Sequence, residues 1–139
     1  NPMFQDPIQQ AKLKIVAEGT RDAIALAKKY KLTILWGTDV FFGSAPFNAF
    51  VQEFAYRDEF FTPTEQLQQI TGNNAKVLAL SGLKNPYPGA ELGVIKEGAF
   101  ADMIIIKGDP TKDIKLFIDA KNIGFIIKDV KIYKNTINK

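Results

Sequence analysis

The 139-residue sequence contains neither histidine nor cysteine. Without cysteine the chain can form no disulfide, no thiolate nucleophile and no sulfur-ligated metal site. Without histidine it can build no Ser-His or Cys-His nucleophile system and no histidine-rich metal centre by itself. The chain alone therefore excludes these classes of catalytic site.

Arginine is scarce as well, since Arg21 and Arg57 are the only two. The net charge of +3 comes mostly from lysines that are interleaved with Asp and Glu. Nucleic-acid readers favour arginine forks and a basic stripe, so this pattern predicts a solvated surface and no nucleic-acid partner. No apolar run reaches the ~18 residues of a membrane span, so the sequence predicts no membrane partner either.

The first part of the sequence has the pattern of an α/β unit. Residues 12–30 place apolar side chains at helical spacing, and lysines crowd the end where cations suit the helix dipole. A short apolar run at residues 32–36 comes next and is closed by Gly37. Its lack of alternation predicts a buried strand of a parallel sheet. Helix, turn and strand in this order make half of a β/α repeat.

Further helices are predicted on both sides of Thr62. The apolar positions of residues 47–60 indicate one helix. Thr62 is the best N-cap of the next, because Pro63 then occupies the first helical position. A short helix over residues 73–80 is expected to begin with Asn73 as its cap. It ends at Gly82, since glycine readily takes the left-handed conformation there.

From residue 85 onward the pattern changes to turns and short strands. Residues 85–89 form a turn-rich connection, and glycine and proline punctuate the rest of the chain. Helices first and strands afterwards predict an α/β unit joined to a small β domain, with a boundary between residues 82 and 89. The predicted strands are residues 92–95, 103–106, 125–127 and 131–133.

Two motifs carry a resemblance to a known family. The first is Trp36-Gly37-Thr38-Asp39, and the second is LGVIKEGAFADMIII at residues 92–106, with Gly-Asp-Pro shortly after it. With Thr-Pro at residues 62–63 and Thr-Gly-Asn at residues 71–73 between them, they resemble the amidohydrolase superfamily of metal-dependent hydrolases. Within it, the chain is most similar to the imidazolonepropionase and Xaa-Pro dipeptidase (prolidase)-type members. The resemblance covers about residues 12–135.

The sequence departs from the family pattern at two places. Ile70 stands where the family usually has Ala before the Thr. Asp129-Val130 stands where the last hairpin often has Asp-Gly. Valine disfavours the positive φ that a tight two-residue turn needs, so Val130 is unfavourable for such a turn.

The resemblance implies an α/β fold, the C-terminal part of a (β/α)8 TIM barrel plus part of a small β-sandwich domain. Residues 1–84 would be the end of the barrel, with its last helix, last strand and following helices. Residues 85–139 would be the C-terminal part of the composite β domain. Active sites of such barrels lie at the C-terminal ends of the strands, so Asp39 would lie on the catalytic rim after the eighth strand.

The same resemblance implies that Asp39 binds a divalent metal, expected to be zinc, and takes a proton from the attacking water. Spacing alone favours a turn residue at this position, and the resemblance reverses that interpretation. Gly37 and Thr38 would support the site, Gly37 by letting the backbone pass close and Thr38 by orienting Asp39 with its hydroxyl.

The loop after Asp39 would overhang the barrel mouth. Two interpretations stay open for it: its side chains contact the substrate, or its aromatic rings cover the core. The candidate substrate-binding residues are Phe41, Phe42 and Ser44.

The implied function is hydrolysis of a C–N amide, cyclic amide or dipeptide bond in a small-molecule substrate by a full-length parent enzyme. The alternative is a non-catalytic binding or assembly module that retains only the tail of the fold. For the chain by itself we expect no activity and no cofactor, because Asp39 is one ligand where catalytic zinc usually takes three. We also expect self-association, because its strands would lack neighbours. Localisation is left open between cytoplasm and export.

Overall fold

The computed structural model describes residues 6–39 and 47–137, the side chains of residues 47 and 48 excepted. The chain forms two compact units, Asn1–Ile34 and Leu35–Lys139. No helix in the described ranges is long and apolar enough to cross a membrane. The predicted division after residue 84 stays a prediction.

The first unit consists mainly of helix α1 (Pro7–Lys29). Asp6 caps it, since its carboxylate accepts a hydrogen bond from the backbone N–H of Ile8 at 2.9 Å. Pro7 then occupies the first turn, where no N–H is needed. The predicted helix is confirmed and begins earlier than expected. None of its residues is buried, although many are apolar.

Residues 32–36 do not form the predicted buried strand; they and residues 37–39 have no regular secondary structure. They pair with no strand in the described part of the chain, and Leu32 is 62% exposed. A parallel strand requires partner strands beside it, and the one sheet among the described residues is antiparallel and lies later in the chain. Burial nevertheless alternates: Trp36 and Thr38 are half-buried, while Gly37 and Asp39 are exposed. This period of two is typical of an extended chain that is covered on one side. Residues 32–39 are called the extended segment below.

The second unit begins with residues 35–39 of this extended segment and continues with helices. They are α2 (Phe47–Val51), α3 (Glu53–Arg57), α4 (Pro63–Gln68), a π-helical turn (Gln69–Asn73) and α5 (Asn74–Ala79). The single helix predicted for residues 47–60 is therefore two short ones.

The start of α4 is as predicted. The hydroxyl of Thr62 accepts from the backbone N–H of Glu65 at 3.3 Å, and the Glu65 carboxylate accepts from the N–H of Thr62 at 2.7 Å. This reciprocal pair is a capping box. The expected cap at Asn73 is wrong, because Asn73 lies inside a continuous helical run and its side chain makes no capping hydrogen bond. Gly82 has the expected left-handed φ of 57°.

The core of the second unit is small and aromatic. Among the described residues the buried apolar side chains are Phe54, Phe61 and Ile114. The Phe54 ring lies between Trp36, at 4.9 Å between centroids, and Phe117, at 5.0 Å. The core therefore joins the extended segment to α3 and to the short 3₁₀ helix Ile114–Phe117.

The C-terminal part is an antiparallel sheet of three strands in the order β1 (Met103–Ile106), β2 (Ile123–Lys128) and β3 (Lys131–Asn135). These three predicted strands are confirmed. The strand predicted for residues 92–95 is wrong. Gly93 has a φ of 70°, which interrupts an extended run, and a Cβ there would lie 2.6 Å from the carbonyl carbon of Thr71. The barrel and the second sheet of a sandwich stay predictions.

The β2–β3 hairpin turns on Asp129 and Val130, with φ values of 49° and 62°. Two positive φ values are what a two-residue turn of type I′ requires. Val130 adopts this conformation although its branched side chain disfavours it. The Asp102 carboxylate accepts a hydrogen bond from the backbone N–H of Asp129 at 2.9 Å and so fixes the turn.

Candidate functional site

Asp39 is at the end of the extended segment of the second unit. Its side chain is exposed, and its φ of 49° lies in the left-handed region, which aspartate tolerates better than most residues. In residues 6–39 and 47–137, no three His, Cys, Asp or Glu side chains come together in a group that could hold a metal. Asp39 therefore offers a single carboxylate ligand.

The predicted supporting residues, Gly37 and Thr38, directly precede Asp39. The carbonyl of Gly37 accepts a hydrogen bond from the Arg57 guanidinium at 3.4 Å, and Thr38 is half-buried. A Cβ on Gly37 would meet no atom within 4 Å. Their support of Asp39 stays a prediction. Three further candidates, Phe41, Phe42 and Ser44, lie outside the described residues.

Asn74 holds the extended segment by its side chain. Its carboxamide oxygen accepts from the backbone N–H of Trp36 at 3.0 Å, and its carboxamide nitrogen donates to the carbonyl of Trp36 at 2.9 Å. One side chain thus satisfies both backbone groups of one residue, as a neighbouring strand would.

Arg57 secures the residues on either side of Trp36. Its guanidinium donates to the carbonyl of Leu35 at 3.0 Å and, more weakly, to that of Gly37. It is held in turn by Glu53, at 2.6 Å, and by the side-chain oxygen of Gln69, at 2.8 Å. The guanidinium also lies 5.8 Å from the Trp36 ring centroid. This planar fork with several donors suits a site where backbone carbonyls converge.

Sequence reasoning missed both Asn74 and Arg57. Asn74 is 38 residues from Trp36, and Arg57 is 22 residues from Leu35. Neither contact has a local periodicity or turn signal. The only indication of a role for Arg57 in the sequence is that arginine is scarce.

A second charged cluster lies on the β hairpin. The Lys128 ammonium donates to the Tyr87 hydroxyl at 3.1 Å and contacts the carboxylates of Asp129 at 3.2 Å and Asp102 at 3.4 Å. The hydrogen bonds to Tyr87, then Asp129, and the Asp102 charge raise the pKa of Lys128 above its ordinary value. Lys128 therefore stays charged near neutral pH, and the cluster serves as an anchor of the hairpin.

The described residues of the second unit line two cavities that lie away from Asp39. The smaller, about 290 Å³, lies between the α5 region and residues 85–94. The larger, about 650 Å³, is an open apolar groove between the π-helical turn and the sheet. Since no residue of the extended segment lines either cavity, neither defines a pocket around Asp39.

Comparison with known proteins finds several amidohydrolase-type proteins that are similar to this chain over part of their length. No protein-family model matches the chain. A crystal structure of an amidohydrolase matches 95% of this chain and 30% of that chain, with a TM-score of 0.74 and 26% identity. A prolidase complexed with N-methylphosphonate-L-proline matches 94% of this chain and 30% of that chain, with a TM-score of 0.73. At 24% identity, the prolidase supports the fold alone.

Ochratoxinase from Aspergillus niger is similar in both sequence and structure. Over 125 residues, 89% of this chain, the sequences are 31% identical. The crystal structure of that enzyme matches 94% of this chain with a TM-score of 0.75 and 28% identity. The chain spans about a quarter of the length of this relative, 24%. The resemblance to amidohydrolase-type proteins is thus confirmed over part of their length, whereas the imidazolonepropionase subgroup is not.

Proposed function

We propose that the chain is part of a metal-dependent hydrolase of the amidohydrolase superfamily, cleaving an amide, cyclic amide or dipeptide bond. The observation that carries this proposal is the 31% identity to ochratoxinase over 89% of the chain. Within the superfamily we place it with the Xaa-Pro dipeptidase and imidazolonepropionase types, on the motifs at residues 36–39 and 92–106. In the complete protein, residues 32–36 would be the last strand of the barrel.

Asp39 fits a metal-ligand role by its chemistry and its position. A carboxylate is an ordinary ligand of zinc, and this one is exposed at the end of a backbone segment that side chains hold on both sides. The remaining ligands would come from parts of the complete protein outside this chain, since it has no histidine.

The proposed role of Asp39 in the reaction is proton transfer. When bound, a divalent metal lowers the pKa of water toward ~7 and polarises the scissile carbonyl. A carboxylate oxygen of Asp39 takes the proton that the attacking water releases. The same oxygen then gives that proton to the leaving nitrogen as the C–N bond breaks, so the carboxylate is regenerated in each cycle.

The test is the Asp39→Asn variant of the complete protein. It keeps the size of the side chain but removes the proton acceptor, so turnover should fall by ~10²–10⁴-fold. Suitable probes are Xaa-L-proline dipeptides, for the prolidase-type reaction, and ochratoxin, for the ochratoxinase-type reaction. Metal content is measured on the same samples.

Asp119→Asn is the matched control, because asparagine can keep the acceptor for the backbone N–H of Lys121 that Asp119 supplies at 2.9 Å. It should be fully active. Near-normal turnover of Asp39→Asn would show that the wrong residue is assigned. A complete protein that hydrolyses no amide probe would favour the non-catalytic binding module instead.

A further inference from the structure

We infer that Asn74 is a positioning residue of the proposed hydrolytic site: it sets the backbone at Trp36 and thereby the place of Asp39. The inference rests on the proposed role of Asp39. Asn74 itself touches Trp36 and not the reacting atoms, so its effect on the reaction is indirect.

The geometry of the contact fixes position and rotation together. A single hydrogen bond leaves the segment free to pivot, whereas the two bonds of 3.0 and 2.9 Å to one residue define its register. In residues 32–39 no strand partner supplies these bonds. Asn74 therefore takes the place that a neighbouring peptide group has in a sheet.

The fold brings Asn74 to this place by an irregularity of the helix. The π-helical turn Gln69–Asn73 directly precedes it, and such a turn re-aims the residues after it. Thr71 and Gly72 of this turn pack closely against Gly93, where an added Cβ would lie 2.6 Å from Thr71. The π-helical turn is thus fixed by Gly93, a residue of the motif at residues 92–106.

Asp39 is three residues beyond Trp36, a lever of ~10 Å at the ordinary rise of an extended chain. A small rotation at Trp36 therefore moves the Asp39 carboxylate by an amount on the order of an ångström. Misplacement of a reacting group by ~1 Å can cost ~10²-fold in rate.

Arg57 contributes to the same support, but its bonds to Glu53 and Gln69 also hold α3 to the π-helical turn. Asn74 is the cleaner residue to test.

The experiment compares Asn74→Ala and Asn74→Asp in the complete protein, saturated with zinc. Both should lower kcat by about 10- to 100-fold with KM changed less than about threefold. Asn74→Asp has the shape of asparagine but cannot donate to the Trp36 carbonyl when ionised. If it keeps full kcat, the hydrogen bond from the Asn74 carboxamide to the Trp36 carbonyl does not position Asp39, and the inference is overturned.

The matched control is Asn122→Ala, which removes an asparagine side chain that donates to the carbonyl of Leu116 at 3.0 Å, away from the segment. It should show a comparable loss of thermal stability with normal kcat. An equal fall of kcat in Asn122→Ala would show that general destabilisation explains the effect.

A second readout needs no activity. Trp36 is the sole tryptophan of the chain, so its emission reports on the segment, and subtraction of a Trp36→Phe spectrum isolates it in the complete protein. Asn74→Ala should shift this emission to longer wavelength and increase quenching by acrylamide, and Asn122→Ala should not. Unchanged emission together with unchanged kcat would overturn the inference.

Asp39→Asn, measured alongside, separates the two proposals. If Asp39→Asn is inactive while Asn74→Ala has normal kcat, the positioning role alone fails. If Asp39→Asn is itself normal, the proposed function fails and the inference falls with it. If Asp39→Asn and Asn74→Ala both lower kcat while Asn122→Ala is normal, the results support the proposed function and the positioning role together.

Discussion

Among the described glycines of the second unit, Gly93 is the one at which an added methyl group should disturb the structure most. Its φ of 70° is strained for any side chain, and a Cβ would lie 2.6 and 2.7 Å from the carbonyl carbon and oxygen of Thr71. Backbone atoms cannot move aside as a flexible side chain would. Gly93→Ala should therefore lower the free energy of unfolding by about 1–3 kcal/mol or more, measured by denaturant unfolding followed at Trp36.

Gly19→Ala provides the opposite case with the same chemical change. Gly19 lies within α1, and a Cβ there would meet no atom within 4 Å. Alanine is favoured over glycine inside a helix by about 1 kcal/mol, so helix content by circular dichroism should rise or stay the same. A stabilising Gly93→Ala would mean that Gly93 does not approach the π-helical turn as described.

At the scale of elements, the β2–β3 hairpin contains a conflict between sequence and conformation. Val130 is 81% exposed, so it gains little from burial while it adopts a φ of 62°. Val130→Gly would create the Asp-Gly pair that type I′ turns prefer. The relief of strain should exceed the entropic cost of glycine and raise stability by about 1 kcal/mol.

Thermal unfolding of the variant checks this prediction. Val77→Gly is the control, because Val77 lies in α5 and is mostly covered, so lower helix propensity and lost apolar burial should destabilise by about 1 kcal/mol or more. If Val130→Gly is as harmful as Val77→Gly, the turn does not have the two positive φ values that the structure gives it.

The elements that the sequence predicted well are those with local signals. Thr62 and Pro63 define the start of α4 because capping chemistry acts within one turn. The apolar run at residues 103–106 pairs as expected, since its partner β2 is in the same chain. Residues 32–36 have an equally strong apolar run, yet they form no strand among the described residues, because a strand exists only beside another.

In the candidate site, too, residues with a local sequence signal could be predicted, and residues that act through distant contacts could not. Asp39 is a candidate because it ends a motif of four consecutive residues that carries the family resemblance. Asn74 and Arg57 support that motif from other helices, and long-range side-chain contacts to backbone leave no pattern in a single sequence. The predicted cap at Asn73 is wrong for a different reason. The π-helical turn runs directly into α5, so the helix is continuous where a cap was expected.

At the scale of the whole molecule, the exposed apolar surface is the dominant feature. In α1 it includes Ile8, Ile15, Val16 and Leu26, each more than half exposed. In the second unit, all of Met103, Ile104 and Ile105 of β1 are exposed, at 41%, 45% and 51%. Because β1 is an edge of the described sheet, it also presents unpaired backbone groups. Apolar edge strands of this kind recruit other chains.

We therefore predict that the 139-residue chain by itself forms dimers or larger assemblies at micromolar concentration. A charge on the edge should weaken pairing, so Ile104→Lys should lower the mean mass measured by light scattering after size-exclusion chromatography. Leu83→Lys is the control, because Leu83 is fully exposed but lies in a short 3₁₀ helix outside the sheet. If Ile104→Lys and Leu83→Lys reduce the mass equally, association is a general effect of apolar surface and not of the β1 edge. A monodisperse monomer of the unmodified chain would contradict the prediction altogether.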